Sequence, residues 1–270
     1  MMHPDPVLTI AVASGKGGVG KTNVSVNLSV AMARQGRRVL LMDADLGLAN
    51  VDVMLGLQPK ANLSHVLDGS CALEEVIITG PADLRIIPAA SGVSRMADLS
   101  PAEHAGLIRA FGELRAPFDV LVIDTAAGVS DSVVSFTRAA QHVLVVVCDE
   151  PASITDAYAL IKVLSKDHGI QNFHILANMV RGESQGRQLY GKLARVCDQF
   201  LDVVVRYLGA VPMDEKLRSA VQQQRCVVEV APGAASARVF DRLSRIIADW
   251  NTPDGSRGHI EFFVERLLTA

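Results

Sequence analysis

Short apolar runs alternate with amphipathic stretches along most of the chain. Val7 to Ala13, Arg38 to Met42, Leu84 to Ile87, Val120 to Ile123, Val143 to Val147, His174 to Ala177 and Val203 to Leu208 are rich in Val, Ile and Leu. Runs this short, with little polar alternation, suit strands buried on both faces. Between them apolar residues recur at helical spacing near 20–35, 101–115, 130–140, 153–168, 185–200 and 235–249. The alternation predicts an α/β fold: a doubly wound, mostly parallel sheet with helices on both faces. Ligands on such sheets bind beyond the carboxyl ends of the strands. The segments just after each apolar run are therefore where chemistry is expected.

The alternation stops near residue 250. Residues 251–258 carry Pro253, Gly255 and Ser256 and predict a linker after a domain spanning 1–250. In 259–270, the positions Ile260, Phe263, Val264, Leu267 and Leu268 follow i, i+3, i+4, i+7, i+8 spacing, with Phe262 beside them. That predicts an amphipathic helix. Its polar face holds Glu261, Glu265 and Arg266, so it is not the basic face that anionic lipid favours. Two readings stay open: contact with a membrane interface, or docking in a groove of the same domain or of a partner.

Composition narrows the class. Apolar residues are 49% of 270, enough for a large core, and the net charge of −3 offers no global basic field for nucleic acid. Cys71, Cys148, Cys197 and Cys226 are scattered without a C-x-x-C pair, which argues against a zinc site or a disulfide framework and points to a reducing cytoplasm. No run approaches the roughly 18 apolar residues of a spanning helix, and Met1 to Pro6 is too short and polar for a signal peptide.

The candidate chemistry begins after the first run. Gly15-Lys16-Gly17-Gly18-Val19-Gly20-Lys21-Thr22 fits G-x-x-x-x-G-K-[ST], the P-loop. Its strand–loop–helix context is the one in which backbone N–H groups and a helix N-terminus cradle phosphate. Lys21 is expected on the β- and γ-phosphates and Thr22 on Mg²⁺. Asp43 and Asp45 follow the second run, and Asp124 ends the run Val120 to Ile123. Carboxylates in these places suit metal and water positioning for phosphoryl transfer. ATP or ADP with Mg²⁺ is the expected ligand.

Lys16 is extra to the plain motif. Together with Asp43-Ala44-Asp45-Leu46-Gly47-Leu48-Ala49-Asn50-Val51-Asp52, it resembles the deviant Walker A family of MinD and ParA. The resemblance covers residues 7 to about 250. It implies that Lys16 reaches the nucleotide of a second copy in an ATP-dependent homodimer. It also implies that Asp45 orients the attacking water, that Asp43 and Asp124 support the metal, and that Thr125 to Gly128 forms switch II. Asn178 to Arg181 and Pro212-Met213-Asp214 resemble the family's base-reading loops; a helix cap or turn is the alternative for each. Asn23 stands where many relatives carry Thr beside the α-phosphate.

Within that family, Glu150 to Lys162, Lys21 to Leu28 and Phe262 to Leu267 resemble the FlhG/FleN group. That resemblance implies control of flagellar number and placement, a transcription regulator of the FleQ type as partner, and a slow ATPase. In some members FlhF, a GTPase, is activated through an N-terminal D-Q-A-x-x-L-R motif, which Met1 to Pro6 do not carry. The implied location is the cytoplasm, with peripheral contact at the inner membrane face through Ile260 to Leu268. Sequence-specific nucleic-acid binding is not expected. A MinD-like division-site regulator and a ParA-type partition ATPase are the alternatives. A nitrogenase iron protein would need a Cys within Gly128 to Thr137, an arsenical pump a second P-loop, and a tyrosine kinase of this fold a terminal tyrosine cluster; none is present.

Overall fold

The computed structural model describes residues 7–46, 50–89, 99–250 and 261–263. Eight strands form one sheet: β1 (Leu8–Ser14), β2 (Val39–Ala44), β3 (Ile78–Thr79), β4 (Arg85–Ile87), β5 (Val120–Ala127), β6 (His142–Val147), β7 (Asn172–Val180) and β8 (Val204–Pro212). Their order is β3-β4-β2-β5-β1-β6-β7-β8, and only the short β3 runs antiparallel. The doubly wound architecture expected from the alternation is present.

Every residue of β1 is buried. Its side chains alternate: Leu8, Ile10 and Val12 enter one core, while Ala11 and Ala13 enter the cores of the opposite face. The period of two thus sends a continuous apolar run to both faces. Helices α1 (Lys21–Arg34) and, near the end of the chain, α10 (Ala235–Ala248) pack together on the first face. The second face is covered by α4 (Pro101–Ala110), α5 (Asp131–Ala139), α6 (Pro151–Lys166) and α7 (Glu183–Phe200).

The helix read over 101–115 ends at Ala110 and tightens into a 3₁₀ turn at Phe111–Glu113, where Gly112 is a poor helix former. The pattern also missed α2 (Val51–Met54), α3 (Leu63–Leu67), α8 (Glu215–Gln222) and α9 (Val227–Val230). Of these, α2, α3 and α9 are too short to repeat a 3.6-residue period.

The expected linker 251–258 and most of 259–270 lie outside the described residues. Residues 261–263 are a turn rather than a continuous helix, with Phe263 at φ 55°. The Phe262 N–H donates to the Ala139 carbonyl at 3.2 Å. Both phenyl rings are buried edge-on to Phe111, and Phe262 also stacks on Phe136. This part of the tail is docked on its own domain. The end of α10 is fixed separately: Trp250 stacks on His174, with ring centroids 3.9 Å apart, and tilts against His142.

Burial, with His142 and Arg206 nearby, lowers the His174 pKa from 6.5 to about 4. The fold therefore holds His174 neutral. Its contribution to stability is present above pH 6.5 and is lost as pH falls toward 4. The parent should lose more stability than His174→Gln over that range, by about 1 kcal/mol after solvent screening. Thermal melts at several pH values check this, and parallel acid slopes in the two proteins would rule it out.

Candidate functional site

Because seven of the strands are parallel, the loops after β1, β2, β5, β6, β7 and β8 gather along one edge of the sheet. The P-loop turns there between β1 and α1. Gly20 takes φ 82°, and a Cβ on it would lie 2.5 Å from the Asn178 amide nitrogen, so the turn needs glycine twice over. Two donors hold the loop from beneath through the Val19 carbonyl: Asn178 Nδ2 at 2.7 Å and the Cys148 thiol at 3.6 Å. Burial, with Glu150 nearby, pushes that thiol up to about 11, which keeps it a neutral donor.

Lys21 is buried and paired with the fully buried Asp124, Nζ to Oδ1 at 2.8 Å. Ser25, one helical turn beyond Lys21, donates to the same oxygen at 2.7 Å. The other oxygen, Oδ2, is buried with no hydrogen-bond partner. An orphaned carboxylate oxygen on the group that pairs with Lys21 fits a hard cation carried in with phosphate, since Mg²⁺ takes few protein ligands and completes its shell with water and phosphate. Among the described residues no group of three His, Cys, Asp or Glu side chains could cage a metal without such a ligand.

Asp43 lies beside Asp124 in register across β2 and β5. Burial, with Asp124 next to it, pushes the Asp43 carboxyl up to about 7. Its oxygens accept the backbone N–H groups of Asp45, Asn50 and Val51 at 3.1, 2.8 and 3.0 Å. Asp43 thus shapes the bend after β2. Asp45 instead lines a cavity of about 770 Å³ over the P-loop, together with Gly17, Gly18, Lys21 and Thr22. Residues 47–49 of the same segment lie outside the described residues. Strand β5 runs past Asp124 to Ala127, so Thr125 to Ala127 are strand rather than loop. The turn at Gly128 is tied to the P-loop strand by its N–H on the Ser14 carbonyl at 2.9 Å.

Lys16 points away from this cluster. Its ammonium meets Glu150 at 2.9 Å, with side chains 40% and 62% exposed, and the hydrogen bond and charge of Glu150 raise its pKa.

A second cavity of about 340 Å³ adjoins the P-loop. It is lined by Asn23, Asn178, Met179, Pro212, Met213 and Asp214 among others, and Arg181 is not in its lining. The Asn23 carboxamide oxygen is held by Asn27 at 2.8 Å. Asp214 caps α8 through Lys216 N–H and accepts from both the N–H and the hydroxyl of Ser236. The sequence does not by itself place Ser25, Cys148 or Glu150 at the phosphate site. Ser25, at i+4 from Lys21, carried a spacing signal; the other two become neighbours of the loop only through strand order.

Comparisons with known proteins agree with this geometry. A family model described as ParA, NUBPL iron-transfer P-loop NTPase, matches residues 7–248. The chain is 58% identical over 267 residues to the antiactivator FleN of Pseudomonas aeruginosa, covering 99% of this chain and 95% of that one. It is 34% identical over 239 residues to the flagellum site-determining protein YlxH of Helicobacter pylori, covering 88% and 81%. Among solved structures, the septum site-determining protein MinD of Pyrococcus horikoshii, complexed with Mg-ADP, superposes with a TM-score of 0.72 at 27% identity, over 90% of this chain and 97% of that one.

Proposed function

The chain belongs to the FlhG/FleN group of the MinD/ParA family of P-loop NTPases, and from that premise we propose that it is an ATP-hydrolysing dimerisation switch that controls flagellar number. Lys21 and the P-loop N–H groups bind the phosphates. Thr22 and the orphaned Asp124 oxygen would hold Mg²⁺, which would supply charge neutralisation for phosphoryl transfer. Asp45 positions water, and Asn178 and Pro212 border the base. Among the described residues that line the cavity Asp45 is the one carboxylate, a weak base, so turnover is slow.

The observation that carries the switch reading is Lys16. The P-loop is complete without it, and its ammonium pairs with a solvent-exposed carboxylate. A cation held so loosely at the rim can transfer to the nucleotide of a second copy. The assembled dimer, rather than the chemistry, then presents the surface that a FleQ-type transcription regulator binds.

Membrane contact is the second part of the proposal. Phe262 and Phe263 would have to leave the pocket of Phe111 and Phe136. Burial of two phenyl rings stabilises docking by roughly 1.5–3 kcal/mol each. One free tail therefore gains little by leaving, whereas two tails on one dimer gain avidity.

The test uses Asp45→Ala with Mg-ATP as bait for a FleQ-type regulator, with Lys16→Ala as the monomer control. We expect capture by the first and at least tenfold less by the second. Equal capture by both would sink dimer dependence, and capture by neither would sink the partner. The same two proteins spun with anionic vesicles test the tail: pelleting of the locked form alone supports membrane contact, and no pelleting removes it.

A further inference from the structure

The base-side cavity rests on an irregular stretch of β7. Ala177 pairs with Ala210 and Val180 with Pro212, so Asn178 and Met179 together face one residue, Val211. This is a β-bulge, a device that re-aims side chains beside binding sites. Met179 takes φ 55°, a left-handed conformation uncommon for a side chain of its size. Such a residue persists only where its surroundings hold it.

Three hydrogen bonds do so. Asn178 Nδ2 donates to the Val19 carbonyl, and Met213 N–H donates to the Val180 carbonyl at 2.8 Å. The third comes from outside both loops: Arg181 N–H donates to Gln185 Oε1 at 2.7 Å. Gln185 is in turn oriented, because its Nε2 donates to Asp149 Oδ2 at 2.7 Å, while Asp149 Oδ1 accepts from Lys192 at 2.9 Å. The backbone of α7 cannot drift at this point. A Cβ on Gly186 would lie 2.5 Å from the Ala210 Cβ and 2.8 Å from the Tyr207 hydroxyl, so helix and sheet touch there.

We propose that Gln185, oriented by Asp149, is a positioning residue that sets the bulge at Asn178 and Met179 and thereby the grip of the site on the nucleobase rather than on the phosphates. The proposal rests on the ATPase reading above. An amide is needed, since one end must accept from Arg181 N–H and the other must donate to a carboxylate. Glutamate alone would set two carboxylates against each other.

The test is competition against a fluorescent ATP analogue on the full chain, with ATP and with inorganic tripolyphosphate, which has phosphates but no base. Gln185→Ala should weaken ATP roughly tenfold and tripolyphosphate by less than about twofold. The double variant Gln185→Glu with Asp149→Asn reverses the donor and acceptor between the two residues and keeps the acceptors for Arg181 and Lys192. It should return ATP affinity to within about threefold of the parent, while Gln185→Glu alone should not. Unchanged ATP affinity in Gln185→Ala would overturn the proposal. So would equal loss of both competitors, which would mean support of the whole site, or failure of the double variant to recover. A parent chain that binds no ATP would instead overturn the ATPase reading itself.

Discussion

Lys16→Ala remains monomeric at Mg-ATP concentrations that dimerise the parent, while its nucleotide affinity stays within a few fold. The structure gives this expectation its energetics. In the single chain Lys16 is paired with Glu150, and both side chains are substantially exposed. Exposed pairs of this kind contribute little, because solvent screens the charges and two long side chains must be ordered to form them. The pair therefore orients Lys16 without trapping it. Across a closed dimer the same ammonium would meet phosphate oxygens with water excluded, where losing one partner of a charged hydrogen-bonded pair costs about 2–5 kcal/mol. The stronger contact wins, and its loss should weaken the dimer by roughly 100-fold. Binding within one chain should survive, because Lys21, Ser25 and Asp124 form a separate buried cluster. Light scattering with Mg-ATP reads the assembly and a fluorescent nucleotide reads the binding. A dimer of parental affinity in Lys16→Ala would end the assignment in trans.

The phosphate side of the site was legible in the chain because each part sits in a local pattern. Gly15 to Thr22 has fixed spacing, and the apolar run before Asp124 marks a strand in the middle of a sheet. The base side was less legible. The sequence predicts Asn178 and Pro212 in loops, whereas they lie in the last residues of β7 and β8. The extra residue at Met179 depends on the register between those strands, which one strand alone does not encode. Gln185 looks like any polar residue near a helix start. Its role appears only once strand order brings Asp149 beside α7. The tail shows the same limit. The apolar spacing of Ile260 to Leu268 announces a buried face without saying what buries it, and Phe262 and Phe263 lie against Phe111 and Phe136, more than 120 residues earlier in the chain.

Asp45→Ala is expected to lose ATP turnover by about 100-fold or more while keeping the ATP-bound dimer, since a residue that orients the attacking water contributes on that scale. The structure separates it from its neighbour. Asp43 is fully buried and spends its oxygens on three backbone N–H groups, so removing it would strand those donors and undo the bend after β2. Asp45 lines the cavity over the P-loop and can be truncated without stranding them. Loss of catalysis with assembly intact should therefore belong to Asp45→Ala, and loss of both to Asp43→Ala. Phosphate release and light scattering, run on the two variants side by side, give the comparison. If Asp45→Ala releases phosphate at the parental rate, the water is oriented by another group. If it also fails to dimerise, Asp45 supports the fold of the segment rather than the reaction.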